Sequence, residues 1–170
     1  KYNKSMFETI KKGYADNKYL LIKDAVRLES FGLDFDFNSM FSLFAKNTAL
    51  ASRFTNKETP FLSEIISIDD IVPDFNTYKN FIITNLKDVF DIGKLNFFYS
   101  IKGEVGISHV DREHVIILGI HNITYYHIDN IDLKIEPGDI LYVPKGYLHH
   151  AFSARERIVL SLSLWEKTTW

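Results

Sequence analysis

The chain has 170 residues, a formal net charge of −2 and 46% hydrophobic residues, including 14 Phe and 9 Tyr. That length and content suit one domain with a sizeable core and exclude a disordered chain. The absence of cysteine excludes a disulfide scaffold and any thiolate metal site. Near-balanced charge leaves no electrostatic footprint for nucleic acid, so no nucleic-acid partner is expected. No apolar run reaches the roughly 20 residues that span a bilayer, so no membrane partner is expected either. The chain opens at Lys1 without a signal-like segment, and a cytoplasmic protein is the expectation.

Taken in chain order, "SMFETIKKGY" predicts a helix, with Ser5 and Glu8 spaced as a capping box and Phe7, Ile10 and Tyr14 along one face. "KYLLIKD" predicts a short strand. "NSMFSLFAK" predicts a short helix that starts at an Asn/Ser cap. The longest helical pattern covers residues 75–91, where Phe75, Tyr78, Ile82, Leu86 and Val89 recur at helical spacing and Gly93 follows as a stop signal. These apolar stripes read as core packing. From residue 94 the period changes. "LNFFYSI", "HVIILGI", "ITYYHI", "IDLKI", "ILYVP", "HHAFS" and "RIVLSLSLW" read as strands, separated by turns at "KGE", His121-Asn122, "EPGD" and "KGY". Many short strands with Gly/Pro turns predict a double-sheet jelly roll. The expected protein is one mainly β domain over residues 1–170, with an N-terminal helical layer over 1–93 leading into a jelly-roll core over 94–170.

The chemistry sits in that second part. His109 and Asp111 are two apart, so on a strand both side chains leave the same face and form a chelating edge. A third ligand must come from another strand. "PGDILYVPKGYLHH" supplies His149 and His150 at the start of a strand launched by the turn at Pro144 and Gly146. Two histidines and one carboxylate with open positions make the facial triad of non-haem Fe(II) oxygenases. A lone H-x-D reads more simply as a solvated strand end, and a lone His-His as a surface pair; the two together, flanking the strands of one barrel, argue for a metal site. His114, at the head of its strand, and His121, at a turn, are expected to be exposed. His127 shares a strand face with Tyr125 and has either a pocket-lining or a structural role.

Over "KGEVGISHVDREHVIILGIHNITYYHI" and "PGDILYVPKGYLHHAFS" the sequence resembles the cupin-type JmjC oxygenases, in their small bacterial cupin-like branch. The shared pattern is a glycine turn, H-x-D, an aliphatic strand, an aromatic-rich strand, and a PGD segment that brings the distal histidine. It covers residues 95–165. The resemblance implies a double-stranded β-helix, the cupin jelly roll, and Fe(II) held by His109, Asp111 and His149, which are then also the catalytic residues. It places Trp165 near the pocket. It implies a 2-oxoglutarate-dependent hydroxylase or oxidase acting on a small molecule or a peptide.

Three positions depart from the family's pattern. Thr124, thirteen residues after Asp111, stands where a lysine commonly binds the distal carboxylate of 2-oxoglutarate. Ser163 stands where Asn is frequent, and Gly106 where Thr is frequent. A hydroxyl brings no charge, and a charge-assisted hydrogen bond is roughly twice as strong as a neutral one. Thr124, Ser163, Tyr99 and Lys102 are therefore the expected cosubstrate contacts, with Arg155 and Arg157 as further cations and Tyr125 and Tyr126 as further hydroxyls. The plain reading of the three cations is solvated charge at turns. Two other functions stay open. One is a metal-dependent cupin oxygenase or isomerase whose substrate chelates the metal directly; the other is a non-enzymatic ligand-binding cupin. A homodimer is open as the assembly.

Overall fold

Residues 4–34, 36–46, 63–67 and 75–168 are described by a computed structural model. Helix α1 (Lys4–Ala15) leads to strand β1 (Leu20–Ile22), a 3₁₀ turn (Leu28–Phe31), helix α2 (Phe37–Ala45), strand β2 (Ser63–Ser67) and helix α3 (Asn76–Leu86). Strands follow: β3 (Phe90–Ser100), β4 (Glu104–Val105), β5 (His109–Val110), β6 (His114–His121), β7 (Thr124–Ile128), β8 (Ile131–Ile135), β9 (Ile140–Val143), β10 (Leu148–Ser153) and β11 (Arg157–Glu166). Among the described residues no helix is long and apolar enough to cross a membrane.

All strand pairs are antiparallel. One sheet runs β1-β9-β6-β11-β3-β2; the other runs β4-β10-β7-β8, with β5 also paired to β10. β6 is apolar at nearly every position because its sheet is covered on both faces. Ile116, Leu118 and Ile120 turn to the helices and join Ile10, Tyr78, Ile82 and Leu86 in one core. Val115 and Ile117 turn inward and join Tyr126, Ile128 and Ile135 in a second core between the sheets. The smaller sheet is covered on one face only. Along β7, Thr124, Tyr126 and Ile128 are buried while Tyr125 and His127 are half-buried. The chain thus forms the expected jelly roll, with helices packed on the outside of its larger sheet.

The N-terminal part differs in detail from its sequence pattern. It is not only helical, since β1 and β2 form the two edges of the larger sheet. Helix α1 begins at Lys4, so Ser5 lies inside its first turn rather than at the cap. Helix α2 is capped by Asp36, whose Oδ1 accepts the Ser39 N–H at 2.9 Å, two residues before the Asn38 of the Asn/Ser reading. Helix α3 stops at Leu86, and Gly93 lies within β3. There a Cβ would meet Trp165 Nε1 at 2.8 Å, so the glycine makes room for a neighbouring side chain rather than ending a helix. Pairing with β11 recruits residues from Phe90 onward into the sheet and overrides the helical spacing.

The "EPGD" turn anchors the N-terminal segment. Gly138 adopts a positive φ of 91°, and its carbonyl accepts the Val26 N–H at 3.0 Å. Buried Asp139 accepts the backbone N–H groups of Asp24 and Glu136 at 2.9 and 2.8 Å and pairs with Lys23.

His114, expected on the surface, is 3% exposed, because the first residue of β6 shares the helix-facing side with Ile116. Its Nδ1 accepts the Lys145 N–H at 3.3 Å and the Tyr142 hydroxyl at 2.9 Å, leaving Nε2–H to face the Glu166 carboxylate at 3.4 Å. Burial lowers its pKa below the ordinary 6.5 despite Glu166 nearby. The unfolded chain therefore binds this proton first, so the stabilisation is complete above about pH 6.5 and is lost as the pH falls below it. In denaturant titrations of the metal-free protein, His114→Gln is expected to remove up to one proton, about 1.4 kcal/mol per pH unit, from the loss of stability below that pH. An unchanged slope would exclude this role.

Candidate metal centre

β5 is two residues long, and its partner is β10, with His109 directly opposite His149 and Val110 opposite Leu148. That register brings the two imidazole centroids to 4.5 Å. Asp111 follows immediately, and its backbone carbonyl accepts the Gly146 N–H at 3.1 Å. Its carboxylate lies between the rings, with Oδ1 at 3.6 Å from His109 Nε2 and Oδ2 at 3.4 Å from His149 Nε2. One ligand atom from each of the three residues lies within 4.8 Å of the others.

Both rings are oriented from behind. His109 Nδ1 lies 2.9 Å from the Ile107 carbonyl, and His149 Nδ1 lies 2.9 Å from the Tyr147 carbonyl. A carbonyl only accepts, so each Nδ1 carries a proton, and in the neutral ring the lone pair sits on Nε2, on the side of Asp111. Burial also lowers the pKa of His149 from 6.5, which favours its neutral, ligating form. Two imidazoles, one carboxylate and backbone acceptors behind the rings fit a divalent transition metal.

The three residues open onto a cavity of about 510 Å³ between the sheets. Its walls come from side chains of one parity. They are Asn96 and Phe98 from β3, Val115 and Ile117 from β6, Tyr126 from β7, and Arg157, Val159, Ser161 and Ser163 from β11. Arg157 is 1% exposed. Its Nη2 donates to Glu104 Oε1 at 3.3 Å and its guanidinium sits 4.3 Å from the Phe98 ring centroid, while Nε and Nη1 are buried without a partner among the described residues. A buried guanidinium with free donors on a cavity wall offers a fork to a carboxylate. Burial pushes the Tyr126 hydroxyl up to about 12 against the pull of Arg157, so it stays protonated and able to donate. The Ser163 hydroxyl donates to Glu113 Oε1 at 3.3 Å.

Of Thr124, Ser163, Tyr99 and Lys102, Ser163 alone lines the cavity wall. Thr124 is buried beside it with a hydroxyl that has no partner among the described residues. Tyr99 faces the helical layer against the rings of Phe37 and Phe97, because its neighbour Phe98 takes the inward side. Lys102 is exposed on the turn after β3. Arg155 is exposed and pairs with Glu156 at 3.1 Å, so Arg157 alone of the three cations lines the cavity. Tyr126 is the inward tyrosine, and Tyr125 stacks on Phe152 on the other face of the sheet. Trp165 is half-exposed over Gly93 and does not line the cavity. At Gly106 a Cβ would meet the Ala151 carbonyl at 2.9 Å, a physical reason for glycine at this position. His121 packs against Phe37, and His127 and His150 face outward. Glu104, Phe98 and Glu113 carried no motif; only the alternation of β3 and β11 marks which residues share their wall.

Asp111→Ala removes the one anionic donor between the two rings. It is expected to weaken Fe(II) binding by at least about 100-fold in anaerobic equilibrium dialysis, beyond the range of changes behind the ligands. Arg155→Ala is expected to leave it unchanged.

The family model described as the JmjC domain matches residues 121–169. No curated protein matches the chain. Among solved structures, YcfD, a ribosomal oxygenase from Escherichia coli in complex with cobalt and succinic acid, aligns with a TM-score of 0.55 at 15% identity, over 89% of this chain and 49% of that one. The chain thus spans about half of that protein's length. A cupin superfamily protein from Desulfitobacterium hafniense aligns with a TM-score of 0.45 at 13% identity, over 65% of this chain and 94% of its own. Salicylate 1,2-dioxygenase from Pseudaminobacter salicylatoxidans aligns at 0.49 and 9% identity, over 76% of this chain and 34% of its own. Residues 121–169 are thus similar to the JmjC domain, and the barrel shares its fold with the ribosomal oxygenase.

Proposed function

We propose that the protein is a non-haem Fe(II)-dependent oxygenase that uses 2-oxoglutarate to oxidise a small molecule or a peptide. The observation that carries the reading is Arg157, a buried cation with two unpartnered nitrogens on the wall of the cavity that holds His109, Asp111 and His149. A carboxylate drawn into a mainly apolar barrel needs a paired charge, and Arg157 replaces the lysine that Thr124 does not supply.

His109, Asp111 and His149 hold the metal on one side and leave its other positions to the cavity. Bound there, Fe(II) and 2-oxoglutarate supply the activation of dioxygen for oxidation of a C–H bond. Arg157 pairs with the distal carboxylate, and the Tyr126 hydroxyl donates a second bond from the neighbouring wall. Val115, Ile117 and Val159 keep water from the space between anchor and metal. Phe98 fixes the guanidinium from one face, so the fork keeps its aim without a ligand. Asn96, Ser161 and the Ser163–Glu113 pair form a polar stripe that suits a substrate with hydrogen-bonding groups.

A second reading has support in Glu104, which already shares the charge of Arg157. With that charge partly met and no lysine at position 124, a substrate carrying its own carboxylate would chelate the metal directly without 2-oxoglutarate. Titration of the anaerobic Fe(II)-loaded protein separates the two. The 2-oxoglutarate reading expects a metal-to-ligand charge-transfer band in the visible, lost in Arg157→Met and about tenfold weaker in apparent affinity in Tyr126→Phe. No band at millimolar 2-oxoglutarate, with iron bound, would sink that reading in favour of direct chelation. A protein that retains no iron would leave the non-enzymatic ligand-binding cupin.

A further inference from the structure

His150 follows His149 in sequence and therefore faces the opposite side of β10, away from the cavity. On that outer face it stands in register with His127 on β7, and His127 stands in register with Asp132 on β8. The two imidazole centroids are 5.1 Å apart, with ring planes within 27° of parallel. Each ring is held by its Nδ1. His127 Nδ1 lies 2.6 Å from Asp132 Oδ1, and His150 Nδ1 lies 3.0 Å from Ser108 Oγ. The row Ser108–His150–His127–Asp132 thus crosses the small sheet as two central imidazoles with an oxygen partner at either end.

This is the arrangement that orients histidines toward a metal. A ligating imidazole donates its second N–H to a carboxylate, hydroxyl or carbonyl, which fixes the tautomer and raises the basicity of the other nitrogen. The Asp132 carboxylate accepts from His127 Nδ1, which leaves the lone pair on Nε2. A serine hydroxyl accepts as readily as it donates, so Ser108 permits the same state at His150. Among the described residues neither Nε2 has a protein partner. Both side chains are half-exposed, so an ion reaches them from solvent.

We propose that His127 and His150 bind one Zn²⁺ or Cu²⁺ ion through Nε2 on the outer face of the barrel, separate from the inward triad. Two imidazoles with water in the remaining positions favour these ions, since the affinity of nitrogen ligands rises to Cu²⁺ and remains high for Zn²⁺; Mg²⁺ and Ca²⁺ prefer oxygen donors. The ion clips β7 to β10, the strand that carries His149 on its other face.

Copper titration of the metal-free full chain, read by calorimetry and electron paramagnetic resonance, tests this. The wild type is expected to take up two ions per chain. His150→Ala and His127→Ala should each keep the inward ion and lose the outer one. The double variant H109A/D111A should keep one ion with a two-nitrogen hyperfine pattern, and Asp132→Asn should weaken the outer site roughly 10- to 100-fold. One ion in the wild type, or a second ion that survives both His127→Ala and His150→Ala, would overturn the proposal. If the double variant does not fold, the stoichiometry of the wild type against the two outer-face variants decides, because those substitutions lie on an open sheet surface.

Discussion

The candidate metal centre depends on the register of one very short pairing. β5 contributes two residues, and a slip of one position against β10 would turn His109 and Asp111 to the outer face while pairing with β7 kept His149 inward. Two backbone bonds bracket it. On one side the Gly106 N–H donates to the Ala151 carbonyl at 2.7 Å; on the other the Gly146 N–H donates to the Asp111 carbonyl at 3.1 Å. Each needs its glycine. At Gly106 a side chain would strike the Ala151 carbonyl, and Gly146 sits at a φ of 88°. His114 adds a third hold. It takes the Lys145 N–H from the turn that supplies Gly146, so the loop before β6 and the turn before β10 are tied on both sides of the sheet.

Charge sets the second constraint. A cation as buried as Arg157 survives only with a counter-charge, and Glu104 supplies it through one long contact. The π face of Phe98 adds to this without consuming hydrogen-bond donors. Arg157 and the candidate metal ligands reach the cavity from opposite sheets, Arg157 from the larger and His149 from the smaller. Their separation is therefore fixed by the distance between sheets rather than by a flexible loop.

Much of this was legible in the sequence. The strands after residue 94 announce themselves by alternation and by Gly/Pro turns, and the H-x-D step with a histidine after a PGD turn locates the cluster. Less visible features depend on long-range pairing. Arg157 reads as a turn charge until β11 is set in register with β3, when it falls on the wall of Phe98 and Ser163. His114 reads as an exposed strand end because nothing local shows that β6 is covered on both faces. β1 and β2 pair with strands far along the chain, and Gly93 mimics a helix stop because its true neighbour, Trp165, is remote in sequence.

The two-sided burial of the larger sheet has a consequence for dissecting the protein. Ile116, Leu118, Leu160 and Leu162 would form a bare oily sheet if α1 and α3 were cut away, although those helices contribute no side chain to the cavity wall. A fragment beginning at β3 would hold the complete ligand triad and its anchor and would still be driven to self-associate. The barrel half of this chain therefore depends on its helical cover, and attempts to shrink the protein to its inward-facing cluster would fail through solubility first.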